Sequence, residues 1–273
     1  MPITEKQNPA GAYLLLRYYK TKKPPRTRSR KRTPTKASQE WLNGKNAEIK
    51  MELLINENFT REDLALHATY TDAYMPETLE EVERDKRNFI RRLKRAYEAA
   101  GKEFKWMCVI ERGNSGRWHL HMLISGGLPR EVLESKWGFG YCNTDRLQWT
   151  ERGLKGLQRY IVKERVTYKR WSASRNLQKP PKPKERGVRK KAFDMLWDGA
   201  DDRQTWEQRF PGYYFVEAQR AENPEFCERY ITVRMCRHDA PLAYVEDCFY
   251  SGAPPQWRKK AKRHKEQKGT DHG

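Results

Sequence analysis

The sequence predicts an α+β protein built around an antiparallel sheet, and three observations lead there. Apolar spacing alternates between helical stripes and short strand-like runs. Two apolar runs, Phe104–Glu111 and Trp118–Ser125, flank an Arg-Gly-Asn-Ser-Gly-Arg turn, which is a hairpin signature. The elements follow one another as strand, helix, hairpin, helix, strand, helix.

Each element has its own signal. Trp41, Leu42, Lys45, Ile49 and Leu53 lie on one face of an amphipathic helix that starts at Ser38 and ends near 56–58. Residues 64–70 carry no helical stripe before Pro76 and read as a strand. Thr78 and Glu81 form a capping box, and Leu79, Val82, Phe89, Ile90, Leu93 and Tyr97 continue the helix to Gly101. After the hairpin, 129–136 reads as a short helix, 139–144 as a strand and 150–166 as a helix. This is the split βαβ order of ferredoxin-like domains.

The flanks differ in composition. Residues 6–39 hold eleven Lys or Arg, no acid, and four prolines, so residues 1–37 are expected to form a basic flexible arm. The folded domain is expected over 38–180, followed by a basic linker over 181–191. A small C-terminal unit over 192–255 and a basic tail over 256–273 complete the expected organisation.

Lys and Arg number 56 against 36 Asp and Glu, a net charge of +20, with a mean hydropathy of -1.06. A polyanionic partner is implied. Aromatic residues at 12%, nine of them Trp, argue against a disordered polycation. No run approaches the roughly 18 to 20 apolar residues of a membrane span, and Ala12–Leu16 is too short for a secretory core. Five widely spaced cysteines without a Cys-x-x-Cys pair suit reduced thiols. A soluble cytoplasmic protein is expected. A zinc site on Cys227, Cys236, His238 and Cys248 has no usual pair spacing and is set aside. The chain contains no phosphate loop of the G-x-x-x-x-G-K-[ST] type.

Chemistry gathers at the hairpin. His119 and His121 lie two apart on a strand, so both imidazoles share one face while Trp118, Leu120, Met122 and Ile124 take the other. Glu111 ends the partner strand, and hairpin pairing brings its carboxylate to the same side, a set suited to a divalent cation. On the helix that follows, Leu154, Leu157 and Ile161 form the apolar stripe, Tyr160 sits on its rim, and Lys163 lies one turn on. A phenol so placed can attack a phosphodiester polarised by a metal.

Together, Glu111, His119-Leu-His121 and Tyr160-Ile-Val-Lys163 resemble the HUH endonucleases in the arrangement of rolling-circle replication initiators. The segments Asn43–Glu48, Leu53–Phe59, Ala68–Thr71, Phe89–Leu93 and Arg175–Pro180 are similar to initiators of small phages and plasmids of Gram-positive bacteria, related to the filamentous-phage nicking protein. The resemblance covers 38–180. It implies a ferredoxin-like or RRM-like HUH core with a sheet of about five strands. It implies Mg²⁺ or Mn²⁺ on His119, His121 and Glu111, Tyr160 as nucleophile, and Lys163 positioning phosphate or metal-bound water.

The expected reaction is metal-dependent nicking of single-stranded DNA or an origin hairpin, leaving a 5′-phosphotyrosine and a free 3′ hydroxyl. Arg26, Arg28, Arg30, Lys31 and Arg32 of the arm, and Lys169, Arg170 and Arg175 of the later basic stretch, are expected to hold the DNA backbone. The missing phosphate loop implies a recruited host helicase, with a host polymerase extending the 3′ end, in a bacterial cytoplasm. Some relatives carry a second tyrosine four residues after the first; here that position is Glu164. Rival readings are a transposase or relaxase of the same chemistry and a non-catalytic nucleic-acid-binding protein. Relaxases place the tyrosine before the histidines, whereas here it follows them.

Overall fold

In the computed structural model, the residues described are 2–20, 37–113, 115–147, 171–223 and 228–239. The architecture is α+β, with two five-stranded antiparallel sheets. In chain order the elements are β1 (Ile3–Ala10), β2 (Tyr13–Lys20), α1 (Ala37–Asn58), β3 (Leu64–Thr69) and α2 (Leu79–Ala99). They continue as β4 (Trp106–Arg112), β5 (Trp118–Ile124), α3 (Arg130–Glu134), β6 (Cys142–Arg146), β7 (Ser172–Ala173) and β8 (Lys184–Val188). Helices α4 (Lys190–Asp198) and α5 (Arg203–Arg209) precede β9 (Tyr213–Asn223) and β10 (Glu228–Arg237). No described helix is long and apolar enough to cross a membrane.

The central sheet runs β6-β3-β5-β4-β7. Strand β5 is its middle strand, paired with β3 on one side and β4 on the other. One face carries Leu64, Leu66, Ala68, Cys108, Ile110 and the expected Trp118, Leu120, Met122 and Ile124 against Val82, Phe89, Leu93 and Tyr97 of α2. Those helical residues follow 3.6-residue spacing, and the Thr78–Glu81 capping box starts the helix as its sequence implies. On the opposite face, Met51, Ile55 and Phe59 of α1 bury Met107, Val109 and Leu123, along with Leu147.

The second sheet, β8-β1-β2-β10-β9, overturns the arm and linker expected at the flanks. Residues 3–20 are a hairpin at the middle of this sheet, and β8, expected within the linker, pairs with β1 over Ile3–Gln7. The physical reason is burial. Leu14, Leu16 and Tyr18 of β2 pack with Phe193 and Leu196 of α4 and Trp206 of α5. The basic character counted over 6–39 belongs mostly to 21–36, since only Lys6, Arg17 and Lys20 fall in the hairpin. Pro9 is tolerated because it lies past the end of the β8 ladder. Strands β9 and β10, expected in a separate C-terminal unit, complete this sheet rather than a domain of their own.

Helix α1 joins the two sheets. While Met51, Ile55 and Phe59 face the central sheet, Glu52 takes a bidentate ion pair from Arg234 of β10 at 2.5 and 2.8 Å, and Glu217 adds a third contact at 2.9 Å. Burial alone would pull the Arg234 pKa down, yet these carboxylates raise it, so the guanidinium stays charged. At the hairpin tip, Gly11 has φ +55 and its backbone N–H donates to Glu57 at 2.8 Å. A Cβ there would meet the Asn56 carbonyl oxygen at 2.2 Å.

Candidate active site

Strand register builds the site on the face of the central sheet opposite α2. Glu111 of β4 is directly opposite His119 of β5, and His119 is directly opposite Thr69 of β3. In the next row, Val109, His121 and His67 are cross-strand partners. Cross-strand partners point to the same face, so three imidazoles and one carboxylate share a small area. His121 Nε2 lies 2.8 Å from Glu111 Oε2 along the diagonal of this lattice. His67 Nε2 lies 3.3 Å from His119 Nδ1. The His67 ring is stacked on both neighbours, with centroids 4.5 Å from His121 and 5.2 Å from His119.

The hairpin turn keeps one edge of the cluster accessible. The Gly113 N–H donates to the Arg117 carbonyl at 2.8 Å, and a Cβ at Gly113 would sit 3.0 Å from His119 Nε2. Any side chain at Gly113 would therefore crowd that nitrogen. Gly116, at φ +78, takes the left-handed conformation that closes the turn. Arg117 anchors the base of the hairpin by donating to the Tyr70 carbonyl at 3.2 Å and pairing with Asp72.

Burial favours the neutral form of all three imidazoles. Burial lowers His67 first, the neighbouring His121 and His119 lower it further, and Glu111 only partly opposes them, leaving it at about 4. Burial likewise lowers His119 and His121, with Glu111 opposing in both cases. Neutral imidazoles present lone pairs, and two of them beside a carboxylate form a donor set suited to a divalent cation. Among the described residues no three His, Cys, Asp or Glu side chains are spread as they stand to hold a metal ion. Glu111 and His121 are instead closed on each other, sharing a hydrogen bond at 2.8 Å. The donor chemistry fits a cation that takes the place of that shared proton.

The structure thus brings Glu111, His119 and His121 together. It also adds His67, which the sequence reading missed. The alternation in Leu64-Ala-Leu-His67-Ala-Thr69 places His67 on the polar face, but only the β3–β5 register brings it against His121. Arg175 is exposed in the turn after β7, where Ser174 N–H bonds the Trp106 carbonyl at the far end of β4 from Glu111. At roughly 3.4 Å per residue this is some way from the imidazoles, so Arg175 is not gathered into the cluster. Tyr160, Lys163, Arg26, Arg28, Arg30, Lys31, Arg32, Lys169 and Arg170 lie outside the described residues.

Residues 64–165 match the family model of the replication-associated protein ORF2/G2P. The match begins at β3, spans the whole imidazole cluster and extends through the segment that contains Tyr160. No curated protein and no solved structure matches the chain. Similarity to a replication-associated family indicates a role in DNA replication and contact with nucleic acid, in keeping with the charge of +20.

Proposed function

We propose that this chain is a replication initiator of the HUH endonuclease type that nicks single-stranded DNA at an origin. The observation that carries the proposal is the gathering of His119, His121 and Glu111 on one face of β4 and β5, inside the region matched by the replication-associated family. His119, His121 and Glu111 would hold Mg²⁺ or Mn²⁺, which when bound polarises a phosphate and stabilises the charge that builds on its oxygens.

Tyr160 supplies the nucleophile. Its phenolic oxygen forms a bond to phosphorus as the bond from phosphorus to the 3′ oxygen breaks. The phenol loses its proton and the leaving oxygen gains one, so the products are a 5′-phosphotyrosine and a free 3′ hydroxyl. Lys163 is assigned to the scissile phosphate. Glu164 stands where a second tyrosine would be needed, so a nick by Tyr160 alone is the reaction proposed. The order of histidines before tyrosine favours an initiator over a conjugative relaxase.

The test is incubation of the full chain with single-stranded origin DNA and Mn²⁺, followed by denaturing electrophoresis. A protein–DNA adduct that is absent in chelator and absent for Tyr160→Phe supports the reading. An adduct that persists in Tyr160→Phe overturns the nucleophile assignment, and cleavage in full chelator overturns the metal.

A further inference from the structure

Four large apolar side chains are strongly exposed among the described residues: Tyr74, Val132, Tyr141 and Met195. Tyr141 is the most exposed, at 78%, and it stands on the face of the central sheet that carries the imidazoles. The register establishes this. Ala68 pairs with Cys142, and the Thr69 N–H donates to the Tyr141 carbonyl at 2.8 Å, so Tyr141 continues the ladder opposite Thr69. Thr69 is in turn opposite His119. Tyr141, just before β6, therefore continues the row of Thr69 on β3, His119 on β5 and Glu111 on β4. Alternation confirms the side: Thr144 is buried and Cys142 packs toward the α2 core, whereas Asn143 is exposed.

The segment beneath the ring is held firmly. Gly140 approaches β3 so closely that a Cβ would lie 2.5 Å from the Thr69 carbonyl oxygen, which also accepts the Trp137 indole N–H at 2.8 Å. Asn143, one row along and opposite His67, has an exposed amide whose Nδ2 donates to Asp145 at 2.8 Å. An exposed aromatic on a fixed backbone, with an amide beside it, has the composition of a site that stacks a base and contacts its edge. Two strand spacings put the Tyr141 Cα about 10 Å from that of His119.

We infer that Tyr141, with Asn143 beside it, is a stacking subsite for an unpaired nucleobase of single-stranded DNA that flanks the phosphate held at the imidazole cluster. This rests on the nicking reading for the identity of the occupant. A duplex does not present an unstacked base face, so the subsite favours single strands. Stacking uses the ring and not the hydroxyl, which separates it from a role for the phenol.

The experiment is fluorescence anisotropy of the full chain with fluorescein-labelled oligothymidylate, in chelator so that no cleavage intervenes. Tyr141→Ala should weaken binding about tenfold, and Tyr141→Phe should stay within about twofold of the parent because the ring face is kept. Binding to a labelled duplex should be unchanged by either variant. Far-UV circular dichroism should show both variants folded, since the side chain is exposed. Unchanged oligothymidylate affinity in Tyr141→Ala, or an equal loss on duplex, overturns the subsite while leaving nicking by the parent protein intact. Loss of single-strand affinity in a protein that never forms an adduct would instead support the subsite and sink the nicking reading.

Discussion

Removing one oxygen with Tyr160→Phe separates chemistry from recognition, because the aromatic ring is retained. The variant should form no covalent adduct, yet bind origin DNA within about twofold of the parent. Replacement of both His119 and His121 by Ala should end metal-dependent cleavage. The fold should survive with a change in Tm of only a few degrees, because Trp118, Leu120, Met122 and Ile124 on the opposite face are untouched. His67 invites a finer test. It touches both candidate ligands without being one in the proposed set, and its stacked ring fixes their orientation. His67→Ala should therefore lower Mn²⁺ affinity by about 10- to 100-fold, as is usual when a group supporting metal ligands is lost. Titration calorimetry reads this directly, and unaltered Mn²⁺ affinity would remove His67 from a positioning role.

Among the secondary-structure elements, the β1–β2 hairpin is the piece whose role the fold redefines. As an arm, it would be expendable; as the middle of a five-stranded sheet, it buries Leu14, Leu16 and Tyr18 under α4 and α5. Deleting residues 1–20 should therefore yield insoluble or unfolded protein rather than a folded protein with weaker DNA binding, as judged by circular dichroism. Gly11→Ala is a milder probe of the same junction. Its φ of +55 and the 2.2 Å approach to the Asn56 carbonyl should cost at least about 1–2 kcal/mol, visible as a lowered Tm. A Tm equal to the parent's would show that the hairpin tip and α1 do not depend on this close approach. Helix α1 itself has a double assignment: its apolar face packs on the central sheet beside the imidazole rows, while Glu52 ties it to Arg234.

For the molecule as a whole, charge governs both partner and stability. The net charge of +20 predicts that log affinity for single strands falls linearly with log salt, by about 0.7 per phosphate contact. Replacing Arg26, Arg28, Arg30, Lys31 and Arg32 with Gln should flatten that slope without loss of fold; a slope unchanged in this variant would exclude the segment from backbone contact. Acid should lower the protein's stability through Glu5. Burial pushes its carboxyl up, but bonds from Arg186, Gln7 and Tyr18 and the nearby Arg209 outweigh burial and hold it below its usual 4.5. A carboxyl lowered in the folded state contributes stability that is complete above its unfolded pKa and is lost as pH falls through the folded value. Stability should thus fall in acid below about pH 4.5, and Glu5→Gln should flatten that fall. By itself the sequence determined the local elements from α1 to α3, the capping box, the polar face of β5 and the pairing of Glu111 with the two histidines, because each depends on spacing within about a dozen neighbouring residues, whereas the strand expected over 139–144 is shifted to Cys142–Arg146. Only the tertiary structure decided that both ends of the chain share one sheet, that His67 stacks on His121, and that Tyr141 stands in the row of His119. Those facts are set by long-range strand register, which alternation and composition within a segment do not encode.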